Sequence, residues 1–284
     1  MSEFALETRN QLVGLFGIVE RNMYLTKRYF LWDLAFMVWT IANTLTIVFI
    51  ARAANLPPDK ENTLATALLV GATIWAFLGI IFEFMTETVA WERWEGTIEY
   101  TFMAPLSRLV HLFGQGAFAV LYGLIRATIL FFAVAAFIGV HAPLANYAAA
   151  LALLAIASLS FIGIGIMTSV LPLISPEKGA QLGFVAQGLM LVVSGVYYPV
   201  SVMPEWMQWI AKISPATYAL RGCRASIVGI FDAQGNQIAP PTGLLWANVW
   251  PLLIIALLAT PIGLAIFNRG ERYAKKTGKL KRAG

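Results

Sequence analysis

Six stretches of this chain, residues 31–51, 63–85, 112–140, 147–173, 179–198 and 244–267, are nearly unbroken runs of apolar side chains. An α-helix needs roughly 20 such residues to cross a hydrocarbon core of about 30 Å, so the pattern predicts six membrane-spanning helices. Residues 112–140 would form a helix of about 43 Å at 1.5 Å per residue, so one end is expected to project past the bilayer core. No internal repeat and no low-complexity linker separates the runs. The fold class expected is therefore an all-α polytopic membrane protein, one domain over residues 1–284.

Three stretches outside the runs carry patterns of their own. In residues 9–30, Leu12, Leu15, Phe16, Val19 and Met23 share one helical arc, with Asn10, Gly17, Arg21 and Arg28 opposite. That predicts an amphipathic helix lying in the membrane interface before the first span, or a soluble tail helix. Residues 87–108 read ETVAWERWEGTIEYTFMAPLSR, where charges alternate with Trp91, Trp94, Ile98, Tyr100, Phe102 and Met103 until Pro105 stops the helix. A solvated loop has no use for so many large apolar groups, so this one is expected to bury them against another protein or against lipid. In residues 194–242, Pro199, Pro204 and Pro215 divide the first part into pieces too short to cross. Pro204 suits the first turn of a short helix carrying Trp206, Trp209, Ile210 and Ile213, and a second helical piece follows between 215 and 230. Both are expected to dip into the outer leaflet or cover the mouth of a cavity, because irregular backbone is not tolerated in lipid. Residues 231–242 read as a polar turn.

The Lys and Arg residues set the orientation. With both termini inside, the cytoplasmic side holds Arg9, Arg21, Lys27, Arg28, Arg93, Arg108, Lys178 and the tail residues Arg269, Arg272, Lys275, Lys276, Lys279, Lys281 and Arg282. The outer side holds Arg52, Lys60, Lys212, Arg221 and Arg224. Fourteen against five is a positive-inside bias, and termini on one side require an even number of spans, as six is.

Composition narrows the class further. Hydrophobic residues make up 59% of the 284 and charged residues only 12%, with a mean hydropathy of +0.72. Soluble domains run near 25% charged, so soluble enzymes, disordered chains and coiled coils are excluded. The net charge of +5 sits largely in the tail, which marks an anchor to anionic headgroups rather than a nucleic-acid site. The lone Cys223 excludes an intrachain disulfide, and His111 and His141 have no ligand spacing. A signal peptide is not expected, since Glu3, Glu7 and Arg9 come first and no short apolar core follows.

Within the runs, Arg126 is the one basic residue near the middle of a span. An intramembrane charge normally faces the bundle and has a partner; Glu83 and Asp33 are the carboxylates available, and a gating role or snorkelling are the alternatives. Asn43, Thr44, Thr46, Gln181 and Gln187 are expected to hydrogen-bond between helices, and Asn43, Thr46 and Gln187 could line a cavity. Gly163 and Gly165, beside Ser158, Ser160 and Thr168, suit close helix packing. His111 has no carboxylate beside it in sequence, which argues against a proton relay. An intramembrane transferase would want paired carboxylates or histidines at one face, whereas Asp59, Glu61, Glu205 and Asp232 are isolated. A channel would want a polar stripe along one span, and none is present.

Taken in order, these features resemble the membrane subunit of an ABC-2-type exporter, over nearly the whole chain. The family's Glu-Arg-x-x-Gly-Thr-x-Glu run, ending in Pro, a small residue and Arg, is matched by Glu92, Arg93, Gly96, Thr97, Glu99, Pro105, Ser107 and Arg108. Its succession of Ser-Gly, three prolines, Tyr and Arg is matched by Ser194, Gly195, Pro199, Pro204, Pro215, Tyr218 and Arg221, with Ala219 and Leu220 between the last two. The daunorubicin-export and nodulation-factor-export branches are the most similar in pattern.

The resemblance implies a multi-pass permease of a prokaryotic cytoplasmic membrane that is not itself an enzyme and holds no cofactor. The sequence has no G-x-x-x-x-G-K-[ST] phosphate loop. ATP and Mg would be held by a separate ABC ATP-binding subunit, two copies of it serving two copies of the permease, with spans one and five at the dimer seam. The loop 87–108 would be a coupling helix docking on that ATPase through Trp91, Trp94, Tyr100 and Phe102, with Gly96 permitting close approach and the interfacial helix bracing it. The outer pieces would form a lid. The inner halves of the spans look almost purely apolar, with Trp39 and Trp75 inside the bundle, which favours a small hydrophobic or lipid-like substrate taken from the membrane or its inner face. A lipid-linked polysaccharide or lipo-oligosaccharide is the alternative, kept open by Tyr122, Tyr147, Tyr197 and Tyr198.

Overall fold

The computed structural model describes residues 3–140, 145–231 and 237–278. His141, Asp232, Lys279, Lys281 and Arg282, which figure in the sequence reading, lie outside them. The elements in order are α1 (Glu3–Arg28), α2 (Phe30–Ala53), α3 (Pro58–Glu95), α4 (Ile98–Met103), α5 (Arg108–Ile138), α6 (Tyr147–Thr168), α7 (Val170–Ile174) and α8 (Gly179–Val193). A 3-10 turn (Val200–Val202), α9 (Glu205–Ala211), α10 (Pro215–Ile227), a hairpin of β1 (Ile230–Phe231) and β2 (Gln237–Ala239), and α11 (Trp246–Lys276) complete the chain. The hairpin stands where the sequence reads as a plain turn.

Five helices among the described residues are long and apolar enough to cross a membrane: α2, α3, α5, α6 run on through α7, and α11. The predicted fifth span stops early. α8 has 15 residues, about 22 Å of helix against a core of about 30 Å. The apolar run continues to Tyr198, but Gly195 turns the chain at φ +69° and Ser194 shares a hydrogen bond with Ser214 at 2.8 Å.

α3 is the central post, buried along most of its length, with Phe77, Leu78, Ile81 and Met85 fully enclosed. Glycine lets its neighbours come close. A Cβ on Gly163 of α6 would stand 2.9 Å from the Ala259 side chain of α11, and one on Gly263 of α11 would stand 2.8 Å from the Gly163 carbonyl oxygen. Small residues at such crossings are how membrane helices gain contact without a hydrophobic drive between them.

The bundle has a basic end and an opposite end. At the basic end, Arg108 Nε donates to Glu271 Oε1 at 3.2 Å, tying α5 to α11, and Arg93 Nη1 donates to the Pro172 carbonyl at 2.5 Å, tying α3 to α7. At the opposite end, Arg52 Nη2 of α2 donates to the Ile138 carbonyl of α5 at 2.8 Å, and the Asn146 amide bonds the Ser226 carbonyl at 2.7 Å.

Two expectations about the basic end change. Residues 87–95 are not a loop but the last turns of α3, which runs unbroken for 38 residues, about 57 Å, before Gly96 closes it in the left-handed conformation at φ +73°. That backbone angle alone favours glycine at position 96. Second, α1, expected in the membrane interface or as a soluble tail helix, packs on the bundle. Its Gln11 accepts from the Ser107 amide at 3.1 Å, its Ile18 packs against Gly114, and Asn22 Nδ2 donates to Gln115 Oε1 at 2.7 Å, so it lies lengthwise along the start of α5. Backbone hydrogen bonds continue through the Tyr29 joint into α2. The Leu12, Phe16 and Met23 face stays exposed, whereas Arg21, expected on the solvent side, is docked.

Candidate functional site

α2, α3, α5 and α8 enclose a groove of about 930 Å³ that runs from Glu95 and Arg21 at the basic end to Tyr197 near the other. It exists because α8 is short and α2 touches the bundle along one edge only, leaving Trp32, Phe36 and Trp39 largely exposed. Close approach at Gly79, where a Cβ would come 2.7 Å from Gln187 Nε2, brings that amide over α3 into the lining.

The walls are aromatic and the floor is charged. Phe84, Phe118 and Tyr122 pack together, with the last two stacked at 5.7 Å between ring centroids and 14° between planes. Arg126 Nη1 lies 3.2 Å from Asp33 Oδ1 and donates to the Tyr122 hydroxyl at 3.1 Å, while that hydroxyl itself donates to Asp33. Of the two carboxylates the sequence offers Arg126, the structure therefore pairs it with Asp33 and leaves Glu83 in the groove without an ion pair among the described residues. Asn43, Thr44, Gln187 and Trp75 line the groove too; Thr46 bonds its own helix at the Ala42 carbonyl instead. The basic half of the groove is thus not the apolar surface that the sequence predicts.

Removing one member of a largely buried ion pair costs about 3–5 kcal/mol in soluble cores. Arg126→Ala and Asp33→Ala are each expected toward the lower end of that range, since the two side chains keep 15% and 23% of their exposure. The charge-swapped double variant should recover part of it. Thermal unfolding of the detergent-purified chain is the measurement, and unchanged melting in both single variants would show the pair to be idle.

At the basic end of the groove a second cluster joins α1, α3, α5 and the turn between α3 and α4. Arg21 of α1 donates to Glu92 Oε1 at 3.1 Å, to Glu95 Oε2 at 3.3 Å and to the Thr97 hydroxyl at 3.2 Å. His111 Nε2 of α5 lies 3.0 Å from the same Glu92 oxygen, so the histidine does have a carboxylate beside it, although one 19 residues away in sequence. Glu92 is 1% exposed and Arg93 is 5%. Both are bonded inside this chain.

The other residues singled out from the sequence divide between surface and core. Trp91 and Trp94 are half-exposed but already pack on each other and on Tyr29, 5.2–6.5 Å between ring centroids. Phe102 lies under the Arg108 guanidinium, 4.3 Å from its ring centroid. Glu99, Tyr100 and Met103 of α4 point outward, and Pro105 leads into Ser107, whose hydroxyl caps α5 by accepting from the Val110 amide at 3.2 Å.

At the opposite end, Pro199 precedes the 3-10 turn, Pro204 precedes α9, and Pro215 opens α10. Trp206 and Trp209 on α9 are about two-thirds exposed, Tyr218 donates to the Lys212 carbonyl at 2.8 Å, and Arg221 faces outward. α10 is not a peripheral lid: nearly every residue of it is buried against α3, α6 and α11. The residue that sequence reasoning undervalued is Arg224. It donates to the Gly195 carbonyl at 2.9 Å and to that of Val196, and burial pulls its guanidinium down to about 10 without uncharging it near neutral pH. No sequence signal separates it from Arg221; only the facing side of α10 does.

A family profile for ABC-2 type transporters matches residues 20–228, which takes in the groove, the cluster around Glu92 and the α8–α10 segment. Two proteins of Escherichia coli, from strain K12 and from O157:H7, both described as "Probable multidrug ABC transporter permease YbhR", are 28% identical to the chain over 187 residues. That region is 64% of this chain and 46% of each relative, so the chain matches about half the length of these relatives.

Proposed function

The chain belongs to the ABC-2 type transporter family, and on that premise we propose that it is the permease subunit of an ATP-driven exporter that moves a hydrophobic or amphipathic compound out of the cytoplasm or inner leaflet. It is a multi-pass protein of the cytoplasmic membrane. The observation that carries the reading is the groove, which runs beside α3 from the basic end almost to the other. Aromatic walls suit the apolar part of such a compound. They also suit a lipid-linked sugar, and competition between the two in a transport assay would separate these cargoes.

The basic end is the cytoplasmic one in this reading, by the positive-inside bias. Six spans then follow if α8 counts as a crossing. Its contacts support that: Gly183 meets Thr86, Gln187 meets Gly79, and Val196 lies at Gly71, so the segment climbs α3 from one level to another fifteen residues away. Two copies of the chain would meet through the exposed faces of α2 and α8, and two ATP-binding subunits, holding ATP and Mg, would dock from the cytoplasm.

Docking falls to α4. With Glu92 and Arg93 internal, the free face consists of Glu99, Tyr100 and Met103, flanked by the half-exposed Trp94. Charge reversal at an interface costs several kcal/mol. Glu99→Lys combined with Tyr100→Ala is expected to abolish co-purification of the ATPase subunit and ATP-dependent transport, with normal melting of the permease itself. A retained ATPase and full transport would reject α4 as the coupling element, and loss of no ATPase from the wild type, because none binds, would reject the exporter reading.

A further inference from the structure

The charges lining the groove do not cancel. Five carboxylates and two guanidinium groups face it. Arg126 is paired with Asp33, and Arg21 with Glu92 and Glu95. Glu83 and Glu87 are left one helical turn apart on α3, with no ion-pair partner among the described residues; Glu87 accepts only the Trp91 indole N–H, at 3.0 Å. Side chains at i and i+4 are about 6 Å apart. Two unpaired carboxyl groups side by side at membrane depth are costly, and such groups mark a substrate path more often than a scaffold.

A separate feature of the groove points the same way. Oε2 of Glu92, a side chain 1% exposed that lines the basic end of the groove, has no hydrogen-bond partner among the described residues. Trp75, Phe84 and Phe184 line the same groove. An aromatic face attracts a cation, more strongly as water is excluded. An anion would disfavour ionisation of these carboxyl groups, an uncharged compound would offer them no charge partner, and a cation would stabilise their ionised form.

We propose that the groove is a binding site for amphipathic organic cations, with the positive group held between Glu83 and Glu87 and the apolar rings against Trp75, Phe84 and Phe184. This deepens the exporter reading and rests on it for the direction of transport, but binding itself is a property of the groove.

The test uses the full-length chain in lipid nanodiscs, with binding to empty nanodiscs subtracted. Tetraphenylphosphonium and tetraphenylborate have nearly the same size and shape and opposite charge. Equilibrium dialysis is expected to show the wild type binding the phosphonium at least tenfold more tightly than the borate. Glu83→Gln with Glu87→Gln should lose at least tenfold of phosphonium affinity, whereas Glu83→Asp with Glu87→Asp should keep most of it, which separates a lost charge from a damaged fold. Equal binding of the two ions, or undiminished phosphonium binding by the double Gln variant, overturns the proposal. Co-purification of the ATPase is scored on the same wild-type preparation, so an exporter without cation preference is told apart from a chain that is no exporter.

Discussion

Glu92→Ala is expected to melt the permease at a much lower temperature than the wild type, through a loss of about 3–5 kcal/mol. The carboxylate is 1% exposed and holds Arg21 at 3.1 Å and His111 at 3.0 Å. Its removal takes the carboxylate from a 2%-exposed imidazole and leaves Arg21 of α1 only Glu95 and Thr97 at the end of α3. Because the Arg21 side chain keeps 30% of its exposure, water recovers part of its loss, so the lower half of the range is the expectation. Glu92→Gln keeps the shape and one acceptor and should cost about 1–3 kcal/mol. The measurement is thermal unfolding of detergent-purified protein, with protease accessibility of α1 as a second readout. If Glu92→Ala melts like the wild type and α1 stays protected, the cluster does not hold this end together. In that event Glu92 would be free to serve a partner, as its place in the family motif first suggests.

Gly71→Leu is the second large effect, at the other end of the same helix. A Cβ on Gly71 would run into the Val196 backbone carbonyl and stand 2.7 Å from Arg224 Nη2. The carbonyl cannot swing aside without leaving the guanidinium that binds it. Overpacking of this kind costs about 1–3 kcal/mol even for a single added methylene, and a leucine adds several. The expectation is a large drop in folded yield, together with new proteolytic cleavage between residues 194 and 203. Gly188→Ala on α8, where a Cβ meets nothing within 4 Å, should behave like the wild type and serves as the control. Wild-type yield from Gly71→Leu would mean that the outer segment is not seated on α3.

The spans were legible because lipid imposes a strong rule: every stretch that crosses must be apolar for about 20 residues. What misled was the sequence at their ends. ETVAWERWE has the charge density of a loop, yet Glu92 and Arg93 are buried by α1, α5 and α7, partners that lie 19 to 79 residues away. The 179–198 run looks like a full span because Val196, Tyr197 and Tyr198 are apolar or nearly so; only the Gly195 turn and the Ser214 contact, neither visible locally, end it at Val193. The groove shows the same limit. Arg126 could be singled out from one sequence, and both of its possible partners named, but choosing Asp33 over Glu83 required the packing of α2 against α5. That choice is what sets Glu83 free.

The brevity of α8 bears on how the chain enters the membrane. A fifteen-residue apolar helix is a weak signal for the insertion machinery, which responds best to segments long enough to span the core alone. Its far end is completed by the carbonyls of Gly195 and Val196, and their donor, Arg224, is synthesised about thirty residues later. α8 is therefore expected to be a poor independent unit during synthesis. It is expected to settle only once α10 has been made, when Arg224 can bind the turn that sits at Gly71 of α3. Biogenesis of the last third of this protein is in that sense a stitching reaction, and a defect at Gly71 would show itself first as a failure of membrane integration.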